Sequence, residues 1–313
     1  MKKVVVIGGG TGMSNLLSGL KQYPLDITAI VTVCDDGKST GILREEFNIP
    51  AVGDIRRVLV ALSETEPLVM DLFNYRFETT SDLDGHTVGN LLLTASSEIT
   101  GNLSDGIEAL SKVLNLKGKV VPLTEDNVTL MALMEDGSIV EGEHHITQSK
   151  KKIKKVYYKE DAIPTKAALK AIREADLILF SMGSLFTSII PNLLIPKIVE
   201  EINKSKAKLM YACNMMTQPG ETDGFKVSDH IKVLNEYLGN RKIDLVLVNN
   251  GKIDKKMAKF YETQEQKDPV IYDKKNNDYE VIEDDFTYVT KNNLLRHDNI
   301  KLGFHIFYYL MKK

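Results

Sequence analysis

The stretch that decides the fold lies at the start of the chain, where four apolar residues run into a triple glycine: Val4-Val5-Val6-Ile7-Gly8-Gly9-Gly10-Thr11-Gly12-Met13-Ser14-Asn15. The β-branched run predicts a strand, and residues 13–22 have the composition of a helix. A strand, a glycine turn and a helix in this order are typical of a phosphate site. Glycines let the backbone approach the anion, and the first N–H groups of the helix point at it. We therefore expect a phosphate to contact Gly9, Gly10, Thr11, Gly12 and Asn15, with a tight turn that holds no ligand as the alternative.

Two common nucleotide motifs do not match this turn. The dinucleotide fingerprint needs a third glycine where Met13 stands, which argues against an NAD-dependent oxidoreductase. No Gly-Lys-Ser/Thr sequence follows the first strand, so a P-loop NTPase is not indicated. The turn therefore predicts a nucleotide-type ligand but leaves its base open.

Composition restricts the class of protein. The chain has 313 residues, of which 43% are hydrophobic and 27% charged, and its net charge is −3. That length allows a large core, and a slightly negative net charge does not indicate nucleic-acid binding. Cys34 and Cys213 each end an apolar run, which predicts buried thiols rather than a disulfide or a zinc site. No apolar run reaches the ~20 residues that span a bilayer, so we expect no membrane insertion and a cytoplasmic location.

Short apolar runs alternate with amphipathic segments along the chain. This alternation predicts an α/β fold with a doubly wound, mostly parallel sheet, and the length allows one large domain or two smaller ones. Strands are predicted at 4–7, 27–33, 177–180, 209–213 and 245–248. Helices are predicted at 13–22, 55–63, 68–73, 88–100, 104–114, 165–174, 191–203, 228–238 and 300–311.

Residues 119–159 interrupt the alternation and predict a small, β-rich antiparallel insertion on the parallel sheet. Runs at 128–134 and 139–146 flank Asp136-Gly137, which is a strong hairpin signal. We expect His144 and His145 to be neighbours on the second strand, pointing to opposite faces. The polar stretch 262–285 predicts a loop.

Polar or glycine-bearing loops follow five predicted strands, at 8–12, 35–41, 181–188, 214–220 and 249–252. Open α/β sheets bind ligands beyond the carboxyl ends of their strands, so these loops predict one site. In the second loop, Asp35 and Asp36 suit a ribose, or Mg²⁺ beside a diphosphate, with Lys38 and Ser39 next to them. A turn that only caps a helix is the alternative.

Later segments add further candidates. Asp54 either contacts the ligand or only caps a helix, and Arg57 can reach an anion. His86 and Asn90 suit ligand contact or proton transfer, with a structural histidine as the alternative. A second anion cradle, or ordinary helix capping, is predicted for Gly183, Ser184 and Thr187.

The remaining candidates suit a base and a diphosphate. Asn214, Thr217 and Gln218 offer polar groups for the edge of a base or a sugar hydroxyl. Tyr261 can stack on a base, or pack in the core. Arg296 can clamp a diphosphate, or form a surface ion pair.

Six motifs in order resemble the gluconeogenesis factor (YvcK) family, which is distantly related to the CofD 2-phospho-L-lactate transferases. The resemblance runs nearly end to end. The motifs are Gly8-Gly9-Gly10-Thr11-Gly12, Asp35-Asp36-Gly37, Gly53-Asp54, Gly85-His86-Thr87-Val88-Gly89-Asn90, Gly183-Ser184-Leu185-Phe186-Thr187-Ser188-Ile189-Ile190-Pro191-Asn192, and Asn214 followed by Met216-Thr217-Gln218-Pro219-Gly220-Glu221-Thr222.

The resemblance implies a cytoplasmic protein that forms a single Rossmann-like nucleotide-sugar-binding domain over residues 1–313 and binds UDP-sugars such as UDP-N-acetylglucosamine. It also implies links to growth on gluconeogenic carbon sources, cell shape and peptidoglycan precursor supply, with no established reaction. Asp36 and Asp54 match the acidic positions that serve group transfer in the transferases, which use Mg²⁺. The sequence departs from the family pattern at Lys38, where glycine is common, at Val52, where the family has proline, and at Ser181-Met182, where it has Gly-Pro. Lys38 can add a phosphate contact that offsets the loss of the family's glycine at the position of Ser181.

The sequence therefore predicts a UDP-sugar-binding regulatory protein of carbon and cell-wall metabolism. The alternative is a Mg²⁺-dependent transferase that uses a nucleotide-activated donor, with Asp36, Asp54 and His86 as candidate catalytic residues. Whether any reaction is catalysed, whether Mg²⁺ is bound, and whether a protein partner or a homo-oligomer forms are left open.

Overall fold

The structure is a computed structural model, which describes residues 1–273, 278–290 and 294–312. The strands of these residues are β1 (Lys2–Gly8), β2 (Leu25–Val31), β3 (Lys119–Pro122), β4 (Leu130–Met134), β5 (Ile139–Glu141), β6 (Ile153–Tyr158), β7 (Leu177–Phe180), β8 (Lys208–Ala212), β9 (Leu245–Asn249), β10 (Glu280–Asp284), β11 (Thr287–Val289) and β12 (Leu295–His297).

The α-helices of the same residues are α1 (Gly10–Leu20), α2 (Lys38–Phe47), α3 (Gly53–Leu62), α4 (Pro67–Asn74), α5 (Val88–Thr100), α6 (Leu103–Val113), α7 (Glu143–Gln148), α8 (Lys166–Glu174), α9 (Pro196–Lys204), α10 (Val227–Leu238), α11 (Lys255–Phe260) and α12 (Asn299–Met311). Shorter helical turns cover Leu185–Ile189, Ile190–Leu193 and Tyr261–Glu265.

Within the described chain, seven parallel strands form the main sheet in the order β10-β9-β8-β7-β1-β2-β3. Helices α1, α3 and α12 pack together, and α8, α9 and α10 form another packed group. Since β1 leads to β2 on one side and β7 leads to β8 on the other, right-handed crossovers place these two groups on opposite faces. The α/β, Rossmann-like doubly wound class is confirmed.

The core lies on both faces of the central strands, which explains why the sequence signal was strong there. Val4, Val6 and Ile7 are fully buried, as are Leu16 and Leu17 of the helix that follows. A strand covered on both faces must be apolar at nearly every position rather than at alternate ones. All five predicted strands of the sheet are confirmed, with shifts of two residues or fewer.

The insertion differs from its prediction in two ways. Residues of β3 pair with β2 at the edge of the main sheet, so the antiparallel part is the three-stranded β5-β4-β6 sheet. The prediction of one strand over 139–146 is wrong, because Gly142 takes a φ of 90° and the chain then turns into α7. His144 and His145 therefore lie on a helix, not on a strand.

Two further local predictions are wrong. The predicted helix 191–203 is broken before Pro196, because a proline lacks an N–H and disfavours a helical residue before it; Ile195 is extended. The predicted loop 262–285 contains β10, the edge strand that pairs with β9. Residues 274–277 of that stretch lie outside the described residues. No helix in the described parts of the chain is both long and apolar enough to cross a membrane.

Candidate functional site

The main cleft lies where the strand order reverses, between β1 and β7. The chain leaves these two neighbouring strands toward opposite sides, which opens a crevice beyond their carboxyl ends. A cleft of about 440 Å³ occupies this position. It is lined by Gly10, Thr11, Gly12, Asn15, Arg57, Met182, Gly183, Ser184, Ser188, Asn214, Met215, Met216, Thr217, Gln218, Tyr261, Glu265, Lys267, Leu295, Arg296 and His297.

The glycine turn begins α1 at the floor of this cleft. The N–H of Gly10 donates to Oδ2 of Asp54 over 2.7 Å, so a protein carboxylate already accepts the first of these donors. A Cβ on Gly9 would lie 2.4 Å from the same Oδ2 atom, and one on Gly12 would lie 2.3 Å from the carbonyl oxygen of Met182. The turn thus needs glycine to bring three segments together, in addition to any ligand contact.

A second, smaller space of about 150 Å³ adjoins the cleft, and we call it the inner chamber. Gly10, Arg57 and Ser188 line both spaces. Thr32, Asp35, Asp54, Glu143 and Thr187 complete the lining of the inner chamber. The cleft is therefore open and mixed in charge, whereas its inner end is acidic.

The cations of the cleft differ in whether they are paired. The guanidinium of Arg57 donates to Asp54 over 2.5 Å, and the ammonium of Lys267 donates to Glu265 over 2.7 Å. Arg296 is exposed, and its hydrogen bond runs to the carbonyl oxygen of Leu295 over 2.8 Å. Among the described residues, Arg296 has no carboxylate partner, which leaves its charge available to an anion.

In the loop predicted as a second anion site, a carboxylate of the protein takes the place of a ligand anion. The buried carboxylate of Glu221 accepts the hydroxyl of Ser184 and the N–H of Phe186, at 2.5 and 3.2 Å. Thr187 also donates to Ser184 and, more weakly, to Glu221. Burial raises the pKa of Glu221, and these donors oppose the increase. The groups of this loop therefore position it against the segment that holds Glu221.

Two of the three polar residues predicted on the cleft wall are held by the protein. The amide of Asn214 donates to the carbonyl of Gly183 and accepts the hydroxyl of Tyr211. The hydroxyl of Thr217 accepts the N–H of Asp268 over 2.8 Å. The side-chain amide of Gln218 has no hydrogen-bond partner within the described chain. Of the three residues it is therefore the one best placed to form hydrogen bonds with a ligand.

Tyr261 lines the cleft but is also a core residue. It is 3% exposed and clusters with Met215, Met257 and Leu295. Its hydroxyl accepts the N–H of Leu295 over 2.9 Å, next to Arg296. Tyr261 therefore supports the strand that carries Arg296, whether or not it also contacts a base.

Several predicted candidates lie away from both spaces. Asp36 accepts the N–H of His144 over 2.7 Å, which caps α7, and Lys38 is exposed. Ser39, His86 and Asn90 form a buried cluster, in which the Ser39 hydroxyl contacts Nδ1 of His86 at 3.1 Å and accepts from Asn90 at 3.2 Å. The structure thus brings Asp35 and Asp54 together at the inner chamber but separates them from Asp36 and His86.

Asn15 lines the cleft and joins two of its walls, since its amide donates to the carbonyl of His297 over 2.9 Å. His297 was not predicted. Burial lowers its pKa to about 4, so the ring is neutral near pH 7 and its Nε2–H donates to the carbonyl of Cys213 over 3.1 Å.

Glu143 is the most informative residue that the sequence did not reveal. It lies on α7, in the insertion, yet it lines the inner chamber beside Asp35 and Asp54. Burial, together with the smaller effects of the charges of Asp35, Asp54, Asp36 and Glu221, raises its pKa to about 8. No local motif marks Glu143, because its position depends on how the insertion folds back over the sheet.

The raised pKa of Glu143 predicts a pH dependence of stability. The folded protein keeps this proton up to about pH 8, whereas the unfolded chain releases it near the usual value of 4.5. The free energy of unfolding should therefore fall as pH rises through this window. Glu143→Gln should flatten that slope, measured by urea denaturation at several pH values between about 5 and about 8. Glu141→Gln, an exposed position of the same insertion, is the control. Equal slopes in wild type and Glu143→Gln would contradict the prediction.

The carboxylates of the inner chamber do not form a metal-ligand set. In the described ranges, no group of three or more His, Cys, Asp or Glu side chains is placed to hold a metal ion. Asp36 faces α7, and Asp54 is bonded to Gly10 and Arg57. The residues present therefore surround a space instead of converging on one point.

Comparisons with known proteins agree with this architecture. The CofD family model, described as 2-phospho-L-lactate transferase CofD, matches residues 4–287. A protein named gluconeogenesis factor from Bacillus subtilis is 50% identical over 306 residues, which is 96% of each chain. One of the same name from Halalkalibacterium halodurans is 47% identical and covers 96% of this chain and 94% of its own.

A solved structure shows the same fold. The crystal structure of a Bacillus halodurans protein matches with a TM-score of 0.93 and 47% identity, over 97% of this chain and 99% of that one. Family model, relatives and structure all extend over nearly the full length. The chain therefore belongs to the CofD family and is a homologue of the gluconeogenesis factors.

Proposed function

We propose that this protein is a cytoplasmic regulatory protein that binds a UDP-sugar, with UDP-N-acetylglucosamine as the first candidate. The observation that carries the proposal is the guanidinium of Arg296, which has no carboxylate partner among the described residues and lies in the cleft that begins at the first turn of α1. A guanidinium and a helix N-terminus on one cleft suit a diphosphate, since both favour negative charge.

The wall of the cleft at Gln218 suits the base of such a ligand. The Gln218 amide, without a partner in the described parts of the chain, can pair with the edge of a pyrimidine.

The role that we propose is control of carbon flow between gluconeogenesis and cell-wall precursors, with effects on cell shape. A regulator of this kind acts through a protein partner or through self-association.

The test is calorimetric titration with UDP-N-acetylglucosamine, with and without Mg²⁺, beside GDP and NAD. We expect UDP-N-acetylglucosamine to bind with a dissociation constant on the order of micromolar, without a requirement for Mg²⁺. GDP and NAD should bind at least about tenfold more weakly. Preferential binding of GDP that needs Mg²⁺ would refute the proposal.

That outcome would favour the second candidate, a transferase of phosphate-bearing groups. The match to the CofD family model over residues 4–287 is the observation in its favour. Of the two acidic candidates for this transfer, Asp54 lines the inner chamber and Asp36 does not.

A further inference from the structure

The inner chamber has a charge that sets it apart from the rest of the cleft. The carboxylates of Asp35 and Asp54 line it beside the protonated Glu143, against one guanidinium, that of Arg57. Arg57 is already bonded to Asp54 over 2.5 Å. An anionic diphosphate is therefore disfavoured in this chamber and favoured at the wide part of the cleft, where Arg296 lies.

A largely buried serine at the junction of the two spaces presents its hydroxyl to them. Ser188 is 8% exposed and lines both the cleft and the inner chamber. No residue of the described chain forms a hydrogen bond with its side-chain oxygen. The hydroxyl of Ser188 is therefore free to hydrogen-bond a polar ligand group at the mouth of the inner chamber.

The residues of the chamber fit hydroxyl groups better than a cation. The carboxylates surround a volume of about 150 Å³, and in the described residues they form no set that could hold a metal ion. Carboxylates accept hydrogen bonds from several hydroxyls at once, while Ser and Thr hydroxyls both donate and accept. A polyhydroxylated ring is the ligand group that uses such a lining.

Two contacts hold Glu143 at this position. The N–H of His144 donates to Asp36 over 2.7 Å, and a Cβ on Gly142 would lie 2.2 Å from the other oxygen of the same carboxylate. Oε1 of Glu143 accepts the hydroxyl of Thr147 over 3.3 Å. Asp36 thus fixes the start of α7, and α7 brings Glu143 over the chamber.

We propose that the inner chamber receives the glycosyl group of the nucleotide sugar and that Glu143 recognises the hydroxyl or amide groups of that sugar. This inference rests on the proposed function and adds the orientation of the ligand. The diphosphate lies at the glycine turn beside Arg296, and the nucleoside lies toward Gln218. Glu143 is protonated at neutral pH, so it can donate to a sugar oxygen as well as accept, and this is consistent with its pKa of about 8.

The test compares UDP with UDP-N-acetylglucosamine by calorimetry on wild type, Glu143→Gln and Glu143→Ala. We expect Glu143→Ala to weaken UDP-N-acetylglucosamine binding about tenfold and to leave UDP binding within about twofold of wild type. Glu143→Gln, which keeps shape and hydrogen bonding, should lose less. Glu141→Gln, an exposed carboxylate of the same insertion that is paired with Lys159, is the matched control and should change neither.

The outcomes separate this inference from the proposed function. If wild type binds UDP-N-acetylglucosamine but Glu143→Ala weakens UDP equally, or weakens neither ligand, the inference is overturned and the proposed function stands. If wild type binds neither UDP nor UDP-N-acetylglucosamine, both are overturned. Thermal melting of each variant identifies a variant that fails to fold, in which case Glu143→Gln decides the outcome.

Discussion

Replacing Arg296 by alanine is expected to lower the affinity of this protein for UDP-N-acetylglucosamine by about 10- to 100-fold, because a hydrogen-bonded charge pair is worth about 1.5–3 kcal/mol. The substitution should leave stability nearly unchanged. Arg296 is exposed, and its hydrogen bond runs to the carbonyl of the preceding residue. Its charge is thus unpaired among the residues that the structure describes, and little of the fold depends on it.

Calorimetric titration and urea denaturation on the same samples check both parts of this expectation. Arg296→Lys is the informative second variant, since it keeps the charge and loses the planar fork, so it should recover only part of the affinity. Arg173→Ala is the matched control, because Arg173 is also exposed but pairs with Glu201 away from the cleft. Unchanged affinity in Arg296→Ala would mean that the diphosphate lies elsewhere.

The parts of the fold that could be predicted from the sequence depend on local patterns. The run from Val4 to Ile7 is buried on both faces, and the glycine turn after it is followed at once by a helix, so three neighbouring signals agree. Asp136-Gly137 also marks a hairpin by a local pattern, because this turn dipeptide lies between two β-rich runs. The positions of β3 and β10 were missed because edge strands are short and partly polar, and only their pairing with β2 and β9 shows that they belong to the sheet.

The candidate site was harder to predict because its residues meet across long separations. Glu221 occupies the loop of Ser184 from 37 residues away, and Asp36 caps α7 from 108 residues away. No spacing in the sequence indicates either contact. A carboxylate in a polar motif can bind a ligand or position another segment, and the sequence does not distinguish these uses. Asp36 and Glu221 position other segments, and Asp35 accepts the N–H of Gly37 and the hydroxyl of Thr40 in its own loop. Asp35 and Glu143 also line the inner chamber.

Replacing Gly12 by alanine is expected to destabilise the protein by about 1–3 kcal/mol, although alanine usually stabilises a helix by about 1 kcal/mol relative to glycine. The added Cβ would lie 2.3 Å from the carbonyl oxygen of Met182, 2.6 Å from its carbonyl carbon and 2.9 Å from the nitrogen of Gly183. All three atoms belong to the backbone, so no side chain can rotate away. The loop after β7 would have to move away from α1.

That movement would also widen the cleft between its two walls, so Gly12→Ala should lose ligand affinity together with stability. Urea denaturation and calorimetry on the same variant measure the two losses. Thr11→Ala is the control, because Thr11 is exposed, adjacent and on the same cleft, and its effect on stability should stay within about 0.5 kcal/mol. If Gly12→Ala were as stable as wild type, the loops after β1 and β7 would have to be free to separate. The glycine would then be required for the ligand instead of the packing of the turn.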